Sequence, residues 1–270
     1  MSVTQEPPTR SRTPDAEPPS ILTKAFDLLR AFNPHQRVMT LSELARASGL
    51  PKSTVHRLLA RLVELGAVEH HRSGYKIGLG LLQLGAGTPA GYMRDLGMPH
   101  LSQLHRWSGA TVHFAVLRQF DVVYLEKLNA PGSPAGITSV GGRLPANCTA
   151  IGKALLAHEN FDDLGAFLPQ PLPRMTARSV TDVDELIDEL RRVRVTGIAR
   201  EEGEAQPGLS CVAAPVVLNG FAIGAVSLGF PTGSELPARA EQALSITARR
   251  IAEDVDTGLA GREHWFPREV

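Results

Sequence analysis

The chain has 270 residues, 28 Lys and Arg against 28 Asp and Glu, and 43% hydrophobic residues, which is enough apolar material for about two globular domains. Its two cysteines, Cys148 and Cys211, have no CxxC spacing, so we expect neither a disulfide framework nor a structural zinc site. No apolar run reaches the length of about 18 residues that a membrane helix needs. The polar, proline-rich N-terminus does not resemble a signal peptide, which predicts a cytoplasmic protein with no membrane partner.

The zero net charge hides an uneven distribution. Residues 21–80 carry nine Lys or Arg against four Asp or Glu, whereas residues 81–270 carry 17 against 21. A basic N-terminal module beside a mildly acidic remainder indicates nucleic acid as the partner of the N-terminal part.

The N-terminal segment divides into a tail and a first helix. Residues 1–20 contain five prolines and almost no large apolar side chain, which predicts a disordered tail. Residues 21–33 have the period of an amphipathic helix that ends before Pro34, because the residue before a proline disfavours the helical conformation. The apolar face of this helix would be formed by Ile21, Ala25, Leu28, Leu29 and Phe32.

Residues 41–62 predict a helix-turn-helix. Thr40 and Glu43 have the spacing of a capping box, Gly49 ends the first helix, and Pro51 precedes the second. The second helix would bury Val55, Leu58, Leu59 and Leu62 and expose Ser53, His56, Arg57 and Ala60. Such a polar, cationic face suits the major groove of DNA. The alternative is an ordinary two-helix hairpin with a solvated arginine.

A hairpin over residues 67–77, with its turn at 72–74, would complete a winged helix-turn-helix domain over residues 21–80. His70 and His71 would alternate faces in the strand, so we expect no shared metal ion. The residues predicted to read base edges are Ser53, His56 and Arg57, and those predicted to contact phosphates are Lys52, Thr54, Arg72 and Lys76.

Residues 81–91 are predicted to link this domain to a second one over residues 92–258, where the period changes. The pattern predicts an α+β fold with an antiparallel sheet of about five or six strands and flanking helices, an architecture that often encloses a small-molecule pocket. The expected helices are 92–107, 149–157, 181–196 (capped by Thr181 with Asp184) and 238–257, and the expected strands are 111–117, 121–128, 136–140, 208–217 and 221–230. Residues 259–270 form a C-terminal tail without a clear pattern.

The stretch GGRLPANCTAIGKALLA indicates a ligand site. Thr149 is a plausible helix cap, which leaves the N–H groups of Ala150, Ile151 and Gly152 without intrahelical acceptors. A helix start with small side chains suits a carboxylate. The alternative is that Thr149 simply caps the helix and water serves the N–H groups. Lys153 is expected to be a solvated or salt-bridged helix residue.

The chain resembles the IclR family of bacterial transcription regulators. The matching stretches, in family order, are LTKAFDLLRAF, LSELARASGLPKSTVHRLLARLVELGAVE with GYKIG, GGRLPANCTAIGKALLA, GIAREEGEAQPGLSCVAAPV and GAVSLGFP. The resemblance implies a winged helix-turn-helix joined by a linker helix to a GAF-like effector-binding domain. It also implies homodimers, commonly paired into tetramers, on palindromic operator DNA, and no cofactor.

The resemblance further implies a small organic acid, a short or aromatic carboxylate, as the effector. The carried-over effector residues are Leu144, Ala150, Ile151, Glu201, Leu209, Cys211, Ser227 and Gly229, with Leu144 and Leu209 as the apolar wall. The chain departs from the family pattern in the stretch 201–204, at Ser210 and at Gly229. Glu202 is expected to lie at the solvated end of a strand.

The function predicted from these observations is an effector-controlled regulator, acting as a repressor of a catabolic operon. The alternative is an enzyme in which Cys148 or Cys211 is the nucleophile and His113 or His158 the base. No signature surrounds either cysteine, and no GxSxG, HExxH or P-loop motif is present. A binding module without a DNA role is a third possibility, against which the basic N-terminal charge argues.

Overall fold

The computed structural model describes residues 20–32, 36–131 and 136–258. Contacts divide the chain between Gly85 and Ala86 into two compact units. The predicted tails, except for Ser20, lie outside the described residues. No helix in the described part of the chain is long and apolar enough to cross a membrane.

The first unit has a helical core followed by a two-stranded antiparallel hairpin. Met39 pairs with Tyr75 of the hairpin through both backbone hydrogen bonds, Met39 N to Tyr75 O at 2.9 Å and Tyr75 N to Met39 O at 2.8 Å. The elements are α1 (Ile21–Arg30), α2 (Leu41–Ser48), α3 (Lys52–Glu64), β1 (Val68–His71), β2 (Gly74–Ile77) and α4 (Leu79–Ala86).

The predicted apolar stripe of α3 forms the centre of this unit, since Val55, Leu58, Leu59 and Leu62 are all buried with Leu28 and Leu44. The capping box of Thr40 and Glu43 is present, and Gly49 ends α2 with a φ of 68°, a conformation that glycine adopts without steric cost. One prediction for α1 was wrong. Ile21 is 57% exposed, because the face of α1 that packs on α2 and α3 is centred on Leu28, and Ile21 lies at its open end.

The second unit is built on a six-stranded antiparallel sheet with the strand order β5-β4-β3-β8-β7-β6. In chain order its elements are α5 (Pro89–Ser108), β3 (Thr111–Arg118), β4 (Asp121–Leu128), β5 (Arg143–Pro145), a 3-10 turn (Ala146–Cys148), α6 (Ala150–Leu156), α7 (Phe161–Phe167), α8 (Val183–Thr196), β6 (Ala199–Glu202), β7 (Leu209–Leu218), β8 (Phe221–Pro231) and α9 (Ala240–Gly258). The predicted α+β class and antiparallel sheet are therefore confirmed.

Helices cover both faces of the sheet, so alternate residues of the central strands enter two separate cores. Phe114, Val226 and Leu228 pack against α5 and α9 on one face. Ala115 and Ala225, from the same strands, pack against α6 and α8 on the other. The second face carries small side chains in its central strands, which leaves room for the cavity described below.

Three local predictions were wrong. Residues 136–140 do not form a strand: they run as turns closed by a hydrogen bond from Gly142 N to Ser139 O, and β5 takes the edge beside β4 instead. Helix α8 is capped by Asp182, whose side chain accepts from Glu185 N, and not by Thr181. Helix α5 begins at Pro89, inside the predicted linker, and continues through Pro99. Helix α7 had no predicted counterpart.

Candidate DNA-reading helix and effector cavity

The exposed face of α3 collects the residues predicted to meet DNA. Lys52, Ser53, His56 and Arg57 are exposed, and Thr54 is half-buried at the first turn. Within the described part of the chain, no hydrogen bond or ion pair engages the guanidinium of Arg57. An arginine without an internal partner on a helix face of short side chains can donate two parallel hydrogen bonds to guanine.

The hairpin carries the two other predicted phosphate contacts, and they differ from each other. Arg72 lies exposed at the turn, with no partner among the described residues. Lys76 lies on β2 directly opposite Glu69 of β1, and its Nζ is 2.9 Å from Glu69 Oε2. The charge of Lys76 is therefore partly neutralised within the hairpin, whereas that of Arg72 is not. Among the described residues no group of side chains could hold a metal ion.

A cavity of about 330 Å³, including its opening to solvent, lies between α6 and the small-residue face of the sheet. Seven of the eight predicted effector residues line it: Leu144, Ala150, Ile151, Glu201, Leu209, Cys211 and Ser227. Gly229 lies just outside the wall, directly opposite Cys211 in the pairing of β7 with β8. A Cβ atom at Gly229 would lie 3.6 Å from Cys211 Sγ, an ordinary contact distance, so an alanine there would touch this residue of the wall.

The start of α6 enters this wall in the way the sequence predicts. The Thr149 hydroxyl accepts a hydrogen bond from Gly152 N at 2.9 Å. Residue 152 must be glycine, because the backbone there lies so close to the preceding turn that a Cβ atom would be 2.1 Å from Ala146 O. The helix start is thus pressed against the preceding turn, which places the apolar side chains of Ala150 and Ile151 in the cavity wall.

The sequence did not predict the polar group formed by His113, Tyr124 and Thr138 in the same wall. His113 Nε2 lies 3.0 Å from Thr138 Oγ1, and its Nδ1 lies 3.4 Å from Ser227 Oγ. Burial, with a smaller contribution from the charge of Lys127, lowers the pKa of His113 to about 3, so the ring is neutral. Burial also raises the pKa of Tyr124. The available signal was a histidine within an otherwise apolar strand.

Glu201 is the one carboxyl group in the described part of the cavity wall. It is 4% exposed, and its Oε2 accepts a hydrogen bond from Glu204 N at 2.9 Å. Its Oε1 has no hydrogen-bond partner among the described residues. Burial raises the pKa of this carboxyl, against the lowering effects of the Glu204 N–H, the Cys211 thiol and the Ala205 N–H. Glu202, by contrast, is exposed and pairs with Arg178.

Behind the cavity wall, the side chain of Lys153 is fully buried. It is salt-bridged, which confirms the second alternative of the expectation of a solvated or salt-bridged residue. Its Nζ lies 2.6 Å from Glu204 Oε1 and 2.9 Å from Glu189 Oε2. Burial raises the pKa of Glu204, and the charge of Lys153 opposes that shift. The ion triad Lys153–Glu189–Glu204 therefore joins α6, α8 and the loop after β6.

The cysteines have the character of inert residues. Burial raises the pKa of Cys211 well above its usual value, and burial also raises that of Cys148. A catalytic thiol needs the opposite shift, because the thiolate is the nucleophile. Burial lowers the pKa of both His113 and His158.

Comparison with known proteins identifies both units. The model of the bacterial transcriptional regulator IclR C-terminal domain matches residues 93–257, and that of the IclR helix-turn-helix domain matches residues 21–72. The chain is 32% identical to the HTH-type transcriptional regulator KdgR of Dickeya chrysanthemi, over 81% of this chain and 73% of that protein. It is 30% identical to the glycerol operon regulatory protein of Streptomyces coelicolor, over 72% of this chain and 78% of that one.

Among solved structures, an IclR homologue from Microbacterium hydrocarbonoxydans in complex with 4-hydroxybenzoate superposes with a TM-score of 0.80. It is 28% identical in sequence, and the match covers 88% of this chain and all of that one. The family consists of regulators without enzymatic activity, so the alternative hypothesis of an enzyme that uses Cys148 or Cys211 is wrong. The chain belongs to the IclR family of transcriptional regulators, with a helix-turn-helix domain and an effector-binding C-terminal domain.

Proposed function

We propose that this regulator is a repressor of a catabolic operon whose operator affinity is set by a small organic acid bound in the C-terminal cavity. The observation that carries the proposal is the convergence of seven predicted effector residues on one cavity. The 4-hydroxybenzoate bound by the Microbacterium homologue supports a short or aromatic carboxylate as the effector class.

The repressor acts on double-stranded operator DNA as a homodimer, with two dimers pairing into a tetramer. Each copy places α3 in a major groove, and the two grooves lie about 34 Å apart on a palindromic operator. Six large apolar side chains on α1 and α4 are exposed, and burying them between two copies would favour association. They are Ile21, Leu22, Phe26, Leu79, Leu82 and Leu84.

In this proposal Ser53, His56 and Arg57 read base edges, and Lys52, Thr54, Arg72 and Lys76 contact phosphates. Phosphate contacts fix position and base contacts give sequence preference. The acid binds two arrangements of the dimer unequally, and the operator affinity shifts by that difference in binding free energy.

A thermal-shift screen of the full chain against short and aromatic carboxylates tests the effector class. An acid that binds the folded state raises the midpoint of unfolding, by an amount that grows with its concentration. Ser227→Leu, which fills the cavity, should abolish the shift, while Ser234→Leu on the exposed surface should keep it. If no acid raises the midpoint, or if Ser227→Leu responds as the parent does, the proposed effector site is wrong.

A further inference from the structure

The effector cavity has an unusual charge content for a site that takes an acid. Of the described residues in its wall, none is Lys or Arg, and Glu201 is the one carboxylate. His113 is neutral, because burial holds its pKa near 3. Tyr124 and Cys211 are neutral as well, since burial raises the pKa of each. The wall therefore offers a carboxylate ligand no cationic side chain and one group of the same sign.

The surroundings of the Glu201 side chain favour its protonated form over its ionised form. Its Oε2 is satisfied by Glu204 N, whereas Oε1 has no partner in the described part of the chain. A buried ionised oxygen without a donor is costly. A protonated Oε1 instead becomes a donor, and a carboxylate oxygen of a ligand in the cavity is the acceptor that it lacks.

The other charged groups near Glu201 do not supply a counter-charge. Glu204 lies three residues away and is itself acidic, and the Lys153 ammonium is shared between Glu204 and Glu189. Arg178 faces away and pairs with Glu202. Across the pairing of β6 with β7, Glu201 lies opposite Cys211, whose neutral thiol lowers the pKa of Glu201 as a donor but brings no positive charge. Lys127 lies behind this wall: its Nζ donates to Thr138 O at 3.0 Å, and its charge lowers the pKa of His113. The groups beside Glu201 itself, Glu204 and Cys211, are acidic or neutral.

Resting on the proposed effector function, we propose that Glu201 takes up one proton from solvent when a monocarboxylate enters the cavity. The Oε1–H then donates a hydrogen bond to an oxygen of the ligand carboxylate, so that acid and ligand share a single negative charge. No covalent bond other than this O–H is formed or broken. The site therefore favours compounds with one carboxylate, since no Lys or Arg in the described part of its wall would neutralise a second one.

The electrostatics of the site act in the same direction. Burial already raises the pKa of Glu201 in the empty cavity. A negative charge brought beside it raises that pKa further, since like charges disfavour ionisation. The proton is therefore taken up as the ligand binds, and binding tightens as the pH falls.

Isothermal titration calorimetry of the full chain with 4-hydroxybenzoate, at about pH 6, 7 and 8, tests this inference. Each pH is measured in two buffers of different ionisation enthalpy, which reports the protons taken up. The parent should take up close to one proton, and its Kd should rise by up to about tenfold per pH unit. Glu201→Gln, which keeps the size and an acceptor oxygen, should take up none and vary by less than about twofold.

Glu202→Gln is the matched control, because this neighbouring glutamate is exposed, and it should behave as the parent does. Binding of 4-hydroxybenzoate without proton uptake, or proton uptake that survives Glu201→Gln, would overturn the inference while leaving the effector site in place. Absence of binding by 4-hydroxybenzoate and by every other monocarboxylate of the thermal-shift panel, even at about pH 6, would overturn both the inference and the effector class.

Discussion

The two units of this regulator place their cationic side chains in opposite environments. The first unit holds Arg57 and Arg72 in solvent, with no partner among the described residues. The second unit buries Lys153 completely and surrounds it with Glu189 and Glu204. An exposed arginine costs little to keep and remains free for phosphate or a base edge. A buried lysine is tolerated only when its partners are fixed around it.

This difference indicates which charged residues serve DNA binding and which serve the stability of the fold. Removing an exposed, unpaired charge should change DNA binding and leave the fold intact. Removing a buried, paired charge should change the fold first, because its partners are left uncompensated in a low-dielectric interior. Four predictions can break or sharpen that distinction.

The largest effect is expected for Lys153→Met. The variant leaves Glu204 and Glu189 without their shared cation, so the free energy of unfolding should fall by about 3–5 kcal/mol. Urea denaturation measures it. Arg191→Met, which removes the exposed pair of Arg191 with Asp188, should change stability by less than about 1 kcal/mol. Equal losses in the two variants would contradict the assignment of the buried triad.

The next effect concerns pH. The folded pKa of His113 is about 3, below the ordinary value of 6.5. Between these two pH values, the unfolded chain binds a proton at this residue and the folded chain does not. Stability from this group is complete above about pH 6.5 and is lost as the pH falls, by about 2 kcal/mol at pH 5.

His113→Asn should remove this loss, and the difference between variant and parent in urea midpoints measured from about pH 7 to pH 5 is the readout. His56→Asn, on the exposed face of α3, should leave the pH dependence of stability unchanged. A His113→Asn variant with the parent's acid sensitivity would show that another group causes it.

Arg57→Ala should reduce sequence preference with little change in stability. Loss of a bidentate contact to guanine should cost about 1–3 kcal/mol of discrimination, measured by fluorescence anisotropy as the ratio of affinities for upstream DNA and scrambled DNA. Arg61→Ala is the control on the same helix, since Arg61 pairs with Glu64. A parent-like ratio for Arg57→Ala would remove this residue from the reading role.

The smallest effect should separate Arg72 from Lys76. Arg72→Ala should lower the slope of log affinity against log salt by about one, as expected for one lost phosphate contact. Lys76→Ala should lower it less, because Glu69 partly neutralises Lys76 in the hairpin. Anisotropy titrations over a range of salt concentrations give both slopes, and a larger change for Lys76→Ala would reverse this ranking.

The contrast between the two units also explains which features of the fold could be predicted from the sequence. The stripe of Val55, Leu58, Leu59 and Leu62 was predictable, because helical periodicity within one segment decides burial. The two faces of β3 and β8 were not, since both are covered by helices and the alternation of polar and apolar residues is lost.

The buried polar groups were the least predictable. Lys153 finds its partners 36 and 51 residues away, and His113 meets Ser227 across 114 residues. No local pattern encodes such pairs. Of the proposed effector residues, Ala150 and Ile151 could be named from the helix start alone. The others could be named only through a resemblance to a family, and the resemblance did not include His113 and Tyr124.

The most direct test of the account is the affinity of the full chain for the DNA upstream of its own gene, measured by fluorescence anisotropy with and without the acid that most raises the unfolding midpoint. The account predicts that the acid changes the Kd for that DNA by about 5–150-fold, and that Ser227→Leu abolishes the change while still binding the DNA. An acid that binds the protein and leaves the Kd for DNA unchanged would contradict it.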